Sequence, residues 1–368
     1  MRNRQLCWAV AIALTAILAG CWLNKTPPQP LRMSQPATIS PTGPPPLTTA
    51  IALPFEPMSV TFSASANKLY ASGIEGGTAR GSPPPRWREY VVSLSAPTGP
   101  IERFDTSIEG LQQNIVVNDQ LRRGYALMMS GDIKVFSTDS DTLMSTAQKP
   151  SCSLEGLAIN QATNVVYAGG ATDEGACLVE FDADGHIVRE NVVGPNVKGK
   201  SPMVGQIAVD SASGDLLYLN AFGLARADKM LKEKWRTPVN GPGEPMAMGF
   251  EPKTNTAYVE VGADPVISPS RISVFDAGTG TKTGEFSGPG RCQGFAATGD
   301  GRLFVIFFNS NDLYVLSGGA STLTKFVALP DIPGSAPSDT RWLEVDKAGR
   351  RVFVSPGGDR QKILIYQY

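Results

Sequence analysis

The chain has 368 residues, and 33 Lys and Arg against 34 Asp and Glu leave a formal charge of −1, so it carries no basic footprint for nucleic acid. Charged residues are only 18 %, while 38 glycines and 29 prolines supply many turns, and the length suffices for one sizeable core. A single histidine, His186 in an Asp-Gly-His turn, leaves a Ser–His–Asp triad or a histidine metal centre nothing else to build on.

The first element is an export signal. Arg2 and Arg4 precede an uncharged run from Leu6 to Leu18, followed by Ala19, Gly20 and Cys21. A spanning helix needs roughly 20 apolar residues, so the shorter run fits the apolar region of a signal peptide. Leu18-Ala19-Gly20-Cys21 resembles the lipobox of bacterial lipoproteins. The resemblance implies cleavage after residue 20, a diacylglyceryl group on the Cys21 thiol and a further acyl chain on its new amino group. Each buried CH₂ adds about 0.8 kcal/mol, so two or three chains anchor where one does not. The alternative is an ordinary secretory signal with an incidental cysteine. Trp22, not Asp, follows Cys21, and the same resemblance then implies the outer membrane of the bacterial envelope, on its periplasmic or surface side, rather than the inner membrane.

Residues 21–48 carry eight prolines after the cysteine and few groups that pack. They read as a polyproline-leaning tether with a full reach on the order of 80 Å. Residues 49–368 read as one domain, with no second apolar stretch of spanning length.

That domain repeats a unit: a short apolar strand, a polar turn, a second strand with a central aromatic, then a third strand. The copies begin at 58–73 and 114–131 and sharpen at 156–170, 206–220, 248–262, 294–308 and 342–356. Their central aromatics are Tyr70, Tyr125, Tyr167, Tyr218, Tyr258, Phe304 and Phe353, spaced 40 to 55 residues apart. Period-2 alternation at that spacing predicts an all-β, seven-bladed β-propeller, with six or eight blades as the alternatives. Only 224–235 looks helical, and two charged strands describe it equally well. The last copy ends at Tyr368 without a fourth strand, while 49–55 has no partner. The N-terminal segment is therefore expected to complete the last blade and remove an open edge. Val274-Phe275-Asp276 with Thr279-Gly280, and Thr298-Gly299-Asp300-Gly301 before Leu303-Phe304-Val305, resemble the YVTN and NHL-type propeller repeats of exported bacterial proteins. Such motifs specify a blade, not an activity.

Once the signal is gone, Cys152, Cys177 and Cys292 accompany Cys21. Cys152 precedes the first strand of the third blade and Cys177 opens its third strand, so a Cys152–Cys177 disulfide suits an oxidising compartment; three reduced, packed thiols are the alternative. The face carrying the loops that precede each first strand, here the top, is the expected binding face. Its largest loop, Ile74 to Glu89, offers Arg86, Trp87 and Arg88, and tryptophan and arginine are the usual anchors of interfaces. At the top mouth of the channel the expected polar residues are Gln113, Glu155, Gln206, Gln293 and Arg341. Glu344 stands out because its counterparts Thr61, Val116, Ala158, Ala208, Gly249 and Ala296 are mostly small and apolar; a carboxylate there needs a partner, Arg341 or a bound cation, unless the register is shifted. No cofactor is expected otherwise. Two main readings follow: a lipid-anchored scaffold for a protein or another envelope component, or an enzyme with calcium or a small molecule in the channel, as in calcium-dependent lactonases. A redox accessory role is the third.

Overall fold

The computed structural model describes residues 47–54, 56–75, 86–95, 102–103, 112–194, 202–239, 245–261, 270–307, 310, 312–317, 319–320, 322–329, 342–355 and 362–368. These form seven antiparallel sheets of four strands each: a seven-bladed β-propeller. Blade three shows the plan. Ser153–Asn160, Val165–Ala171, Ala176–Phe181 and Ile187–Val193 pair in chain order. The second and third strands are buried along most of their length, whereas the outer strand is mostly half-exposed or exposed. That gradient explains the sequence pattern: continuous apolar runs lie mid-blade and alternating ones at the rim.

The seven aromatics lie in the second strands, each no more than 4 % exposed. Each large apolar side chain so buried contributes about 1.5–3 kcal/mol. Tyrosine also stitches neighbours. The Tyr70 hydroxyl donates to Asp141 (2.8 Å), the Tyr125 hydroxyl donates to the Ala183 carbonyl (2.8 Å), and the Gly319 N–H donates to the Tyr258 hydroxyl (3.2 Å). Each of these bonds reaches a turn of the next blade, so the ring packs apolar bodies and keeps a polar tip satisfied.

Leu47–Ala52 pairs antiparallel with Lys362–Gln367, so one sheet contains both the first and the last described strand. This is the expected closure, begun two residues earlier than the sequence pattern placed it. The segment 224–235 is two strands, Gly223–Ala227 and Glu233–Thr237, joined through a turn in which Leu231 takes a positive φ. Its charges disguise a core position: Arg226 is 5 % exposed and pairs with Asp210 (2.6 Å) and Asp215 (2.8 Å). One alignment differs from expectation. In blade four Tyr218 faces Ile207, not Ala208. The turn at 210–215 is longer than the four-residue turns at the same place in the other blades, which shifts the inner strand by one.

The two faces of the ring differ. At the bottom, the turns between first and second strands are short and each is held by a side chain at the strand's end. Ser63, Asn118, Asn160, Asp210, Glu251, Thr298 and Asp346 accept backbone N–H groups from their own turns. Many also reach the next blade: Ser63 donates to Asp119 (2.9 Å), Asn118 to Asn164 (3.0 Å) and, across the closure, Arg351 to Asn67 (3.1 Å). At the top, the connections at 76–85, 194–205, 262–270 and 329–341 are all longer than any first-to-second turn.

Candidate functional site

The top mouth of the channel is built from irregular strand starts. The pairing shifts between Gln112 and Asn114, Leu154 and Gly156, Pro245 and Ala247, and Cys292 and Gly294. Gln113, Glu155 and Gln293 are thus the bulged residues of blades two, three and six, and share one level of the ring. A bulge turns its residue out of the regular alternation, and no alternation pattern in the sequence reports it. The Glu155 carboxyl packs beside Gly205 of the neighbouring blade.

Gln206 does not belong to that level. It is exposed and starts its strand one residue before the Ile207–Tyr218 pair. The equivalent place in blade four is Val204, fully buried over Gly169; a Cβ on that glycine would come within 2.5 Å of the valine. Arg341 lies outside the described residues, as does Cys21.

Arg86, Trp87 and Arg88 are not loop residues. They open the third strand of blade one, Arg86–Ser93, opposite Glu75, Ile74 and Gly73, with their side chains outside the described part. Residues 76–85 separate the two strands in the sequence and end on Pro83, Pro84 and Pro85, which lack the N–H a ladder needs. Trp87, Tyr90, Val91 and Val92 favour the strand that follows.

Glu344 is displaced from the top mouth. It sits mid-strand in Trp342–Asp346, opposite Phe353, so its register is the expected one. Its level is that of Thr61 in blade one and Val116 in blade two. It lines a cavity of about 500 Å³ whose walls include Phe62, Ile115, Val116, Val117, Ile159 and Val345, and whose rim includes Asp119, Gln120, Gln161 and Lys347 from the bottom turns. The cavity therefore opens at the bottom. Oε1 of Glu344 accepts the Val345 N–H (3.0 Å). Burial pushes the carboxyl up to about 7, only partly offset by that bond and by the charge of Lys347.

The Sγ atoms of Cys152 and Cys177 are joined, with Cα atoms 6.5 Å apart. Glu190 lies beside them, held by the Ser151 N–H (3.1 Å). Among the described residues this is the one place where three cysteine or carboxylate ligand atoms lie close together, and the disulfide takes two of them, leaving Glu190 alone. Cys292 is a free, buried thiol pushed well up by burial and by the Glu260 carboxylate. Glu260 is fully buried, neither of its oxygens takes a hydrogen bond among the described residues, and burial lifts it to about 7. Sequence reasoning missed this acid because it sits inside an otherwise ordinary second strand, Thr256–Val261, that is buried along its whole length. His186 is exposed and pairs with Asp182 (3.0 Å) in its turn.

No family model matches the sequence, and no curated protein matches it. Among solved structures, a chain of "Crystal Structure of Mitotic Checkpoint Complex" is similar over 92 % of this chain and 98 % of that one, with a TM-score of 0.64 and 14 % identity. At that identity the likeness shows the fold alone.

Proposed function

We propose that this protein is a membrane-anchored extracytoplasmic scaffold. Its propeller offers the top face to a protein or another component of the bacterial envelope. The propeller fold fits a protein-binding scaffold in general, and one observation carries the finer reading: the two faces are built for different tasks. The bottom is a hydrogen-bonded belt of short turns, and the polypeptide joins the ring there, because the strand Leu47–Ala52 runs antiparallel to Lys362–Gln367. The four longest connections, 76–85, 194–205, 262–270 and 329–341, leave from the top. Loops held on a rigid frame are where proteins place recognition. A lipid on Cys21, with the proline-rich segment behind it, would bias the bottom toward the membrane and leave the top free. Arg86, Trp87 and Arg88 open a strand at that top end and supply residue types that dominate interface energies.

Cross-linking in intact envelopes followed by mass spectrometry tests this. The joint variant Arg86→Ala with Trp87→Ala is expected to lose at least tenfold of a cross-linked partner. Lys253→Ala, in a bottom turn, should retain it, and Cys21→Ser should leave the membrane fraction. A partner indifferent to the joint variant, with its thermal unfolding unchanged, would overturn the reading.

A further inference from the structure

We propose that the bottom-opening cavity around Glu344 is a binding site for a small organic molecule that carries a protonated amine on an apolar body. Its volume, about 500 Å³, lies in the range of pockets that hold small ligands. Most of its wall is aliphatic or aromatic: Phe62, Ile115, Val116, Val117, Ile159 and Val345.

The polar groups around it are mostly engaged. Thr61 donates its hydroxyl proton to the Ile115 carbonyl (2.8 Å). Asp119 accepts from the Ser63 hydroxyl and from the N–H and hydroxyl of Ser65. Gln161 accepts the Asp119 N–H and donates to the Val117 carbonyl. Asp346 is held by Arg351 (2.7 Å) and the Gly349 N–H (2.9 Å). Lys347 is exposed and makes no ion pair with Glu344. Among the described residues, Oε2 of Glu344 takes no hydrogen bond.

One carboxyl with unspent capacity in a mainly apolar chamber selects its ligand by charge and shape. A protonated amine supplies the direct ion pair that Glu344 does not make with the more distant Lys347, and its apolar body covers the wall. A divalent cation finds no third carboxylate in reach, and an anion meets the wrong sign. Burial that favours the neutral acid adds a linkage: a cationic ligand binds the ionised form, so binding at pH 7 releases protons.

The test uses the full chain and two probes of one shape, 2-phenylethylammonium and 2-phenylethanol, by calorimetry at pH 7 in two buffers of different ionisation enthalpy. The ammonium probe is expected to bind at least tenfold more tightly than the alcohol, with proton release. Glu344→Gln should abolish that preference. Val116→Phe, at the same level of the ring, should block both probes while leaving the carboxyl in place, which keeps the test decisive if the first variant unfolds. Equal affinities for the two probes, binding unaltered in Glu344→Gln, or no binding of the ammonium probe at millimolar concentration each overturns the proposal.

Discussion

Buried acids in this ring meet three different environments. Asp210 and Asp215 share the Arg226 guanidinium, which also donates to the Ala277 carbonyl of the next blade (2.8 Å). Such a cluster makes weak evidence for stability, since desolvation offsets the attraction, but removing one partner strands the others. Glu251 accepts the Lys253 N–H and, across the blade boundary, the Gly299 N–H. Glu260 has no ion pair and neither oxygen meets hydrogen-bond geometry among the described residues; burial, only partly offset by the charge of Arg291 and the nearby Cys292 N–H, raises it to about 7 from near 4.3 in the unfolded chain. The folded state therefore holds this proton after the unfolded chain has released it, so stability falls as pH rises from about 4.5 to about 7. The loss amounts to about 4 kcal/mol at pH 8. Glu260→Gln is expected to flatten the difference in urea midpoint between pH 5 and pH 8, leaving the smaller slope that belongs to Glu344. An unchanged pH profile would show that Glu260 meets a partner in the folded chain.

At the scale of single elements, the bottom turns explain the repeat better than the strands do. Asn67, Arg122, Asn164, Asn255 and Arg350 each take a positive φ at the end of a first-to-second turn, with Gly214 and Gly301 in the corresponding turns of blades four and six. The left-handed region costs most residues roughly 1–2 kcal/mol, which Asn and Gly largely avoid. Asn164 has a second duty, since its Oδ1 accepts from Asn118 Nδ2, and Asn118 is fully buried. Two substitutions separate the duties. Asn164→Gly keeps the backbone but leaves the Asn118 amide unmet, for a loss of about 1 kcal/mol. Asn164→Ala adds backbone strain and should lose about 2 kcal/mol or more. Urea unfolding that ranks alanine at or above glycine would show the turn geometry to be unstrained. The third strand of blade one escaped the sequence reading for a local reason: its leading Arg86 and Arg88 look like loop residues, and only pairing with Gly73–Glu75 reveals them as ladder members.

For the molecule as a whole, stability rests on a joint between its ends. The Leu47–Ala52 strand contributes the buried Ile51 to a core that also holds Val60, Leu69, Phe353 and Ile363, and it covers the edge of Lys362–Gln367. A chain beginning at residue 53 is expected to unfold at markedly lower urea concentration and to self-associate through that edge. Light scattering and denaturation that match the full chain would show the closure to be dispensable. Much of this was legible beforehand. Seven aromatics at blade spacing, an unpaired first segment and a last copy lacking its fourth strand together determined an all-β closed ring, because period-2 alternation and edge satisfaction are local rules that strand sequences obey one at a time. The oddity of Glu344 was equally visible as a carboxylate among small apolar counterparts. Its surroundings were not. The wall facing it comes from blades one, two and three, which lie far from residue 344 in the chain and become its neighbours only when the ring closes. Whether that acid looks to the top or the bottom depends on its level along the strand relative to those blades, and the bulges and the longer turn at 210–215 shift strand register without leaving a periodic mark. The ring follows from pairing each strand with the next, whereas the cavity follows from where the closed circle brings the inner strands of blades seven, one, two and three together.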